Sequence, residues 1–350
     1  MDLTSYRTLG RSGLVVSPMA LGTMTFGAGR WGVEEDGARA IFSAYLEAGG
    51  NFIDTADIYS GGRSEEMLGG FVADARARDR VVLATKFTWN MEPGNPNAGG
   101  NGAKNIHRAL DASLRRLRTD YVDLYWMHFW DMVTPAEETL RTLADLARAG
   151  KIRYYALSDV PAWYMTRVAT LAAERGLPGP VALQTQYSLV ERSAEWEHAP
   201  AAQELGMGVM PWSPLAGGFL SGKYARGVGG PQGDGRLAGD NPLGRTPFTE
   251  RNWAVLDELK RVAHEVERTP AEVALAWVTA RPGVASVLIG ARRVEQLSAN
   301  LAGLSLVLSD SHRIALDRVS APSAAFPWSA FSEGVRRSIF GGVDVVEWRR

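Results

Sequence analysis

The feature that most constrains the fold is an alternation of short apolar runs with amphipathic helical patterns, repeated eight times along the chain. The apolar runs predict eight strands, at 18–23, 51–56, 81–87, 121–128, 152–158, 181–187, 207–213 and 286–290. Helical patterns follow them at 34–48, 64–75, 104–117, 136–148, 161–174, 196–205, 251–267, 271–280 and 293–302. Strands that alternate with helices form parallel sheets, and eight repeats are the number in a closed (β/α)8 TIM barrel. This α/β barrel is the fold we predict.

Additional segments interrupt the repeats. Gly10 and Gly13 flank a tight turn in segment 7–17, which predicts an N-terminal β-hairpin outside the barrel. Segments 88–102 and 225–247 are long, polar and rich in glycine, and both follow predicted strands. We therefore expect both loops at the C-terminal face of the barrel, where the active sites of such folds are built.

Helix starts and the domain limits follow from local signals. Thr134 with Glu137, and Thr269 with Glu272, have the spacing of capping boxes, each with a proline at the expected first helical position. No linker composition divides the chain, so residues 1–350 are predicted to form one barrel domain. Residues 309–350 form a C-terminal extension whose packing the sequence leaves open.

Composition excludes several classes of function. A net charge of −1 gives no support for nucleic acid as a partner. The first ten residues lack the pattern of a signal peptide and no run is long enough to span a bilayer, so we expect a cytoplasmic protein without membrane contact. There is no cysteine, and the scattered histidines do not have metal-ligand spacing. The expected partner is a small molecule, and the sequence leaves homo-oligomer formation undetermined.

Three consecutive strands end in ionisable residues, namely Asp54, Lys86 and His128, and Tyr59 follows five residues after Asp54. A tyrosine hydroxyl has a pKa of about 10, and a nearby ammonium lowers such a pKa by about 1–3 units, which would make Tyr59 a usable acid. Asp54 would keep Lys86 charged, and His128 would donate a hydrogen bond to the same oxygen that Tyr59 protonates. This set suits reduction of a carbonyl group, for which a reduced nicotinamide must supply the hydride.

Six stretches over residues 6–308 resemble the aldo-keto reductase superfamily. They are "LGRSGLVVSPMALGTMTFG", "FIDTADIY", "LATKF", "SLRRLRTDYVDLYWMH", "WSPLAGGFLSGKY" and "IGARRVEQLSANL". The resemblance is to the branch of aryl-alcohol dehydrogenases, sugar-aldehyde reductases and potassium-channel beta subunits. It implies an Asp–Tyr–Lys–His catalytic tetrad, which falls on Asp54, Tyr59, Lys86 and His128. These are the residues that the chemistry of the strand ends had selected.

The same resemblance implies an extended NADP(H) bound without a Rossmann fold. The implied contacts run from the nicotinamide end to the adenosine end: Gly22, Thr23, Met24, Asp54, Ser158, Asp159, Gln184, Trp212, Ser213, Leu215, Gly217, Lys223, Arg236, Gly290, Arg292, Gln296 and Asn300. Trp212 is expected to stack on the nicotinamide, Arg236 to help clamp the cofactor, and Arg292 to bind the 2′-phosphate. Asp159 stands where many members have asparagine, and an ionised carboxylate cannot donate a hydrogen bond.

Two glycine-rich motifs resemble nucleotide-binding loops but do not predict them. "GAGRWG" at 27–32 fits the Rossmann pattern, yet Trp31 is a poor fit beside a pyrophosphate, and Asp54 belongs to the tetrad rather than to a ribose site. "GGFLSGKY" at 217–224 fits most of a P-loop, but Tyr224 replaces the required serine or threonine.

The sequence therefore predicts an NADPH-dependent aldo-keto reductase that reduces an aldehyde or ketone to the alcohol. The expected substrate contacts are Trp31, Tyr59, Trp89, His128 and Trp130, whereas Trp126 is expected to pack in the barrel. Two alternatives stay open: a keto-deoxysugar or sugar-aldehyde reductase, and an NADPH-binding regulatory subunit of the channel beta-subunit type. The physiological substrate and the preferred direction are not predicted.

Overall fold

A computed structural model describes residues 1–226, 236–237 and 247–345. Its main element is an eight-stranded parallel sheet, preceded by an antiparallel hairpin. The hairpin strands are β1 (Arg7–Thr8) and β2 (Val15–Val16). The sheet strands are β3 (Met19–Gly22), β4 (Phe52–Asp54), β5 (Val82–Phe87), β6 (Val122–Met127), β7 (Ile152–Ser158), β8 (Ala182–Gln186), β9 (Gly208–Trp212) and β10 (Val287–Ile289). The predicted hairpin and all eight predicted strands are confirmed.

Helices follow the strands and cover the outside of the sheet. They are α1 (Glu35–Glu47), α2 (Arg63–Asp74), α3 (Ala103–Leu117), α4 (Ala136–Arg148), α5 (Ala162–Glu174), α6 (His198–Glu204), α7 (Glu250–Glu265), α8 (Pro270–Thr279), α9 (Val294–Ala302), α10 (Asp310–Ser320) and α11 (Glu333–Ile339). The nine predicted helices correspond to α1–α9 within a few residues. Among the described residues, no helix is both long enough and apolar enough to cross a bilayer.

The sheet closes on itself as a barrel. In strand order, β10 pairs with β3, and β3 to β9 then pair in sequence. The remaining gap lies between β9 and β10, where the Val209 N–H donates to the Gly283 carbonyl at 2.8 Å and the Ala285 N–H donates to the Val209 carbonyl at 2.9 Å. Closure therefore uses the segment that leads into β10, and the fold is a (β/α)8 barrel.

Alternating residues along each strand separate two apolar layers. In β6, Leu124 and Trp126 belong to an inner cluster, whereas Tyr125 and Met127 belong to the layer between strands and helices. Trp126 is fully buried, so the expectation that it packs in the barrel is confirmed. Leu9, next to β1, is fully buried in the same inner cluster, so the hairpin contributes to the barrel core. Burial of one such side chain contributes about 2 kcal/mol.

One of the two predicted capping boxes is present. The Thr269 hydroxyl accepts from the Glu272 N–H, and the Glu272 carboxylate accepts from the Thr269 N–H. The box predicted at Thr134 is wrong, because Pro135 is the N-cap residue of α4. The Thr134 hydroxyl instead donates to Asp131 Oδ2 at 2.5 Å, which folds the preceding loop.

The chain divides into two compact units, residues 1–320 and 321–350. Helix α10 belongs to the first unit, and α11 belongs to the second, where the Ser332 hydroxyl caps its start. The predicted loop at 88–102 follows β5, as expected. Most of the predicted loop at 225–247 lies outside the described residues.

Candidate active site

The predicted tetrad lies at the carboxyl ends of three neighbouring strands. Asp54 is the last residue of β4, Lys86 is the penultimate residue of β5, and His128 directly follows β6. The His128 N–H donates to the Phe87 carbonyl at 3.1 Å, which holds the start of the β6 loop against the end of β5. Parallel pairing from β4 to β6 brings all three strand ends to one rim of the barrel.

Lys86 is the centre of this group. Its ammonium donates to a carboxylate oxygen of Asp54, to the Thr55 carbonyl at 2.9 Å and to the Tyr59 hydroxyl at 3.3 Å. Lys86 and Asp54 are both fully buried. An ammonium has three N–H donors, so these three acceptors satisfy it completely and fix its position.

A tight turn positions Tyr59. Tyr59 begins a short 3-10 turn in which Ser60, Gly61 and Gly62 all have positive φ, at 53°, 65° and 96°. The Ser60 hydroxyl donates to the Phe26 carbonyl at 2.8 Å and ties the turn to the loop after β3. At Gly62 a Cβ atom would lie 2.8 Å from the Arg116 side chain, so glycine is needed there for both backbone conformation and space.

Burial and charge act against each other in the tetrad. Burial raises the pKa of Asp54, and the Lys86 ammonium opposes that rise. Burial acts to lower the pKa of Lys86, but Asp54 and Tyr59 outweigh it, so this pKa is raised and Lys86 stays charged. The net pKa of Tyr59 is also raised, because burial exceeds the lowering effect of Lys86. Lys86 does act to lower the pKa of Tyr59, as the sequence suggested, but the net pKa of Tyr59 is raised rather than lowered.

His128 is a neutral donor in this site. Burial, and then the charge of Lys86, lowers its pKa well below the ordinary value of 6.5. Its ring meets that of Tyr59 edge to face, with centroids 5.8 Å apart. Its Nδ1 atom is buried and has no hydrogen-bond partner within the described part of the chain. A neutral imidazole next to the tyrosine can give one hydrogen bond to an incoming oxygen.

The residues expected at the nicotinamide end surround the tetrad. Gln184, in β8, donates from Nε2 to Asp54 Oδ1 at 3.3 Å. Ser158 ends β7, and its hydroxyl is buried without a partner among the described residues. The Trp212 indole N–H donates to Asp159 Oδ1 at 3.1 Å, which accounts for an acceptor-only side chain at 159. Asp159 thus orients the ring of Trp212.

The first strand end is more tightly engaged than the sequence suggested. The Thr23 N–H donates to the Asp54 carbonyl at 2.9 Å, and the Ser64 hydroxyl donates to the buried Thr23 hydroxyl at 2.8 Å. A Cβ on Gly22 would lie 3.1 Å from Leu288. Both the hydroxyl and the backbone N–H of Thr23 are therefore engaged within the protein.

Two cations converge at the proposed phosphate end. Burial lowers the pKa of Lys223, and the charge of Arg292 lowers it further. Lys223 lies over the turn at Gly217 and Gly218, because a Cβ on Gly218 would be 2.9 Å from Nζ. Both glycines have positive φ, at 66° and 93°. Glycine-rich backbone with adjacent cations is the usual environment of a bound phosphate.

The other candidate cofactor contacts lie close to this cluster in the chain. Ser213 and Leu215 come just before the glycine turn, and Gly290, Gln296 and Asn300 lie within ten residues of Arg292. The Arg292 N–H donates to Gln296 Oε1 at 2.9 Å, and Asn300 Nδ2 donates to the Gly290 carbonyl at 3.4 Å. Ser213 has a φ of 51°, and its carbonyl accepts from Ala216. Leu215 packs against the outer apolar layer.

The "GAGRWG" segment folds on itself. The Gly27 N–H donates to the Val33 carbonyl at 2.8 Å, so the motif closes before α1 begins. Helix α1 starts with Glu34 as its N-cap residue and Glu35 and Asp36 in its first turn. Three acidic side chains at this helix start would repel a pyrophosphate.

The predicted aromatic contacts separate into two groups. Trp31 faces the guanidinium of Arg236, 4.8 Å from its ring centroid, and Arg236 also reaches the sulfur of Met24 at 3.7 Å. Trp89 meets the His128 ring edge to face at 6.3 Å. Trp130 instead packs on α5, with Trp163 at 5.4 Å and Tyr164 at 6.1 Å.

Sequence reasoning missed residues that the fold brings to this rim. Phe129 lies 5.6 Å from Trp89 between ring centroids, and its position directly after His128 was the available signal. Asp57 and Glu65 are buried carboxyl groups behind the tetrad, and Arg116 pairs with Glu65 at 2.7 Å. Among the described residues, no group of three or more His, Asp or Glu side chains has the arrangement of a metal site.

A TIM barrel with this ionisable group at its C-terminal rim defines a class of barrel oxidoreductase, and comparison with known proteins identifies the family. The aldo/keto reductase family model matches residues 18–321. The chain therefore belongs to the aldo/keto reductase family. Members of this family are oxidoreductases that act on small carbonyl compounds and generally use nicotinamide cofactors.

Curated relatives cover nearly the whole chain. "Uncharacterized oxidoreductase YrpG" of Bacillus subtilis (strain 168) is 38% identical over 87% of this chain and 92% of its own length. Norsolorinic acid reductase of Aspergillus flavus is 34% identical over 92% of this chain and 82% of its own length. A "probable voltage-gated potassium channel subunit beta" of Oryza sativa subsp. japonica is 36% identical over 86% of this chain and 92% of its own length.

Proposed function

We propose that this protein reduces an aldehyde or ketone to the alcohol with NADPH. The observation that carries the proposal is the Lys86 ammonium, which is shared by the Asp54 carboxylate and the Tyr59 hydroxyl next to a neutral His128. The site thus brings together an acid, a charged residue that stabilises the conjugate base of that acid, and a neutral hydrogen-bond donor. This combination suits a carbonyl oxygen that gains negative charge.

Each tetrad residue has a distinct task. When bound, a reduced nicotinamide supplies a hydride to the carbonyl carbon. Tyr59 donates its hydroxyl proton to the carbonyl oxygen, and Lys86 stabilises the phenolate that remains. Asp54 keeps Lys86 charged in a fully buried position. His128 donates a hydrogen bond to the same oxygen and so orients the substrate.

The residues around the tetrad fit a nicotinamide dinucleotide. The unpartnered hydroxyl of Ser158, with Asp159 and Gln184, would hold the carboxamide, and Trp212 would stack on the ring. Gly22, Thr23 and Met24 would border the nicotinamide ribose. The phosphates would lie along Ser213, Leu215 and Gly217, with Lys223 and Arg292 as cations, Arg236 as a clamp, and Gly290, Gln296 and Asn300 at the adenosine end. The adjacent charges of Lys223 and Arg292 favour a 2′-phosphate, and hence NADPH over NADH.

The experiment is a panel of carbonyl compounds, with consumption of NADPH followed by absorbance. Tyr59→Phe should lower kcat by about 10²–10⁴-fold, because the general acid is lost, while the Kd for NADPH stays within about threefold. Tyr154→Phe is the matched control, since Tyr154 lies near Gly13 of the hairpin and away from the tetrad. A Tyr59→Phe variant with undiminished turnover contradicts the assignment.

A second candidate is a cofactor-binding regulatory subunit. It is favoured by the similarity to the potassium channel subunit of Oryza sativa over 86% of the chain. That role predicts NADPH that exchanges much more slowly than turnover requires, together with a stable complex with another protein. Rapid multiple turnover of simple aldehydes would favour the reductase.

A further inference from the structure

Trp126 is a buried tryptophan that carries a polar group into the apolar interior of the barrel. It lies in β6, it is fully buried, and its side chain belongs to the inner cluster. Among the described residues, its Nε1 atom has no hydrogen-bond partner. A buried donor without an acceptor costs free energy, because it has lost its hydrogen bonds to water. A purely apolar ring would avoid this cost, so packing alone does not account for a tryptophan here.

The strand register places Trp126 next to the charged pair of the tetrad. Trp126 pairs with Lys86 between β6 and β5, and Asp54 pairs with Ala84 between β4 and β5. Phe52 and Ala84 belong to the inner cluster, and side chains two positions apart on a strand lie on the same face. Asp54 and Lys86 therefore point into the same interior as Trp126.

The Asp54 carboxylate is the acceptor that this N–H can serve. Burial raises the pKa of Asp54, and Lys86 acts to lower it. Weaker effects in the same direction as that of Lys86 come from Gln184 and from the indole N–H of Trp126. Lys86 donates to Oδ2 of Asp54, and Gln184 donates to Oδ1 at 3.3 Å. An ionised carboxylate has about four lone-pair sites, so these two donors leave room for a third.

We infer that Trp126 is a positioning residue for carbonyl reduction: its indole N–H supports the Asp54 carboxylate from inside the barrel and keeps it ionised and directed at Lys86. Asp54 in turn keeps Lys86 charged next to the Tyr59 hydroxyl. Trp126 acts only through Asp54 and touches neither substrate nor cofactor. This inference rests on the proposed carbonyl reduction.

The test is the pH dependence of kcat, measured with NADPH and a carbonyl compound that the wild-type enzyme reduces. Trp126→Phe keeps an apolar ring but lacks the N–H. Because the ionised carboxylate loses a donor, the pKa of Asp54 should rise further. The acid limb of the profile should then move to higher pH by about 0.5–1 unit. The Kd for NADPH should stay within about twofold, since the cofactor contacts are untouched.

Other titratable groups face the same charged pair, and the substitution leaves all of them in place. They are Lys86 on β5, Tyr59 and Asp57 on the segment after β4, and His128 after β6. A shift of the acid limb in the Trp126 variant therefore reports the lost N–H rather than a changed charge.

Two further variants separate the N–H from the bulk of the side chain. Benzothienylalanine at position 126, introduced by amber suppression, keeps the bicyclic shape of tryptophan and replaces the N–H by sulfur. It should show the same shift of the acid limb, even where Trp126→Phe does not fold. Trp277→Phe is the matched control, because Trp277 is also buried and its N–H donates to Asp317 at 2.9 Å, outside the barrel interior. It should keep the wild-type profile.

The outcomes distinguish this inference from the proposed function. Profiles of both position-126 variants that coincide with that of wild type, or an equal shift in Trp277→Phe, would overturn the inference while reduction itself stands. A wild-type enzyme that reduces no carbonyl compound with NADPH would instead refute the proposed function. The indole N–H proton resonance of Trp126 then still tests the contact. It should move upfield in Asp54→Asn, and a resonance that does not move would overturn the inference.

Discussion

Replacement of Asp57 by asparagine tests the electrostatics behind the tetrad. Asp57 is 1% exposed, and neither of its carboxyl oxygens has a hydrogen-bond partner in the described part of the chain. Burial, and then the charge of Glu65, raises its pKa from the ordinary 3.8 to about 8. The backbone N–H of Ile58 opposes this rise in pKa, and so do the charges of Arg116 and Lys86. Asp57 is therefore protonated in the folded protein at neutral pH.

Proton linkage gives the sign and size of the effect that Asp57 has on the free energy of unfolding. Between about pH 4 and pH 8 the folded protein keeps a proton that the unfolded chain releases, so Asp57 makes the fold less stable as pH rises. The change amounts to at most about 1.4 kcal/mol per pH unit, and to about 5–6 kcal/mol in total for a shift of this size. Relaxation of the site and the other contacts of Asp57 reduce that value, so we expect at least about 2 kcal/mol.

The assay is urea unfolding followed by tryptophan fluorescence between pH 4.5 and pH 9. The free energies of unfolding of wild type and Asp57→Asn should be similar near pH 4.5. They should separate progressively up to about pH 8, with the variant more stable, and run parallel above that pH. Asp79→Asn, at an exposed carboxyl, is the control and should follow wild type. Parallel curves for wild type and Asp57→Asn over the whole range would refute the reasoning.

Three further predictions concern the cofactor and the helices. Arg292→Ala should raise the Kd for NADPH by about tenfold or more and that for NADH by less than about twofold, and titration calorimetry showing equal losses would contradict the 2′-phosphate assignment. Gly29→Ala should leave the Kd for NADPH almost unchanged. It should cost about 1 kcal/mol of unfolding free energy, because Gly29 has a φ of 60° in open space. A large loss of NADPH affinity would instead support dinucleotide binding by the "GAGRWG" loop. Thr269→Ala should lower the unfolding free energy by about 1 kcal/mol, because it removes the hydroxyl that accepts from the Glu272 N–H at the start of α8, whereas the backbone N–H of residue 269 can still donate to Glu272. An unchanged urea midpoint would show that the cap contributes nothing.

The barrel and the tetrad were predictable because their signals are local. Each strand carries its own run of apolar residues, and Asp54 and Tyr59 lie five positions apart in a single motif. Parallel strands bring their carboxyl ends to one rim, so Lys86 and His128 join that motif without any further information.

Several features that sequence reasoning missed depend on pairs of residues that are distant in the chain. Arg116 reaches Glu65 across 51 positions, and no local pattern links either residue to Asp57. The raised pKa of Tyr59 depends on how deeply the folded protein buries the hydroxyl, a quantity that the spacing of residues does not contain. The capping box predicted at Thr134 had the correct spacing, but the Thr134 hydroxyl donates to Asp131 instead of capping α4. Phe129 directly follows His128 in the chain, and its contact with Trp89 shows that this local signal was available but not used.

The central claim is that the four tetrad side chains and a nicotinamide ring meet at one rim of the barrel. A crystal structure of the complex with NADPH tests it most directly. We expect the nicotinamide against Trp212 and beside the Tyr59 hydroxyl, with the 2′-phosphate between Lys223 and Arg292. A dinucleotide bound at the "GAGRWG" loop or anywhere else away from this rim, or tetrad groups that point apart around the bound ring, would contradict the account.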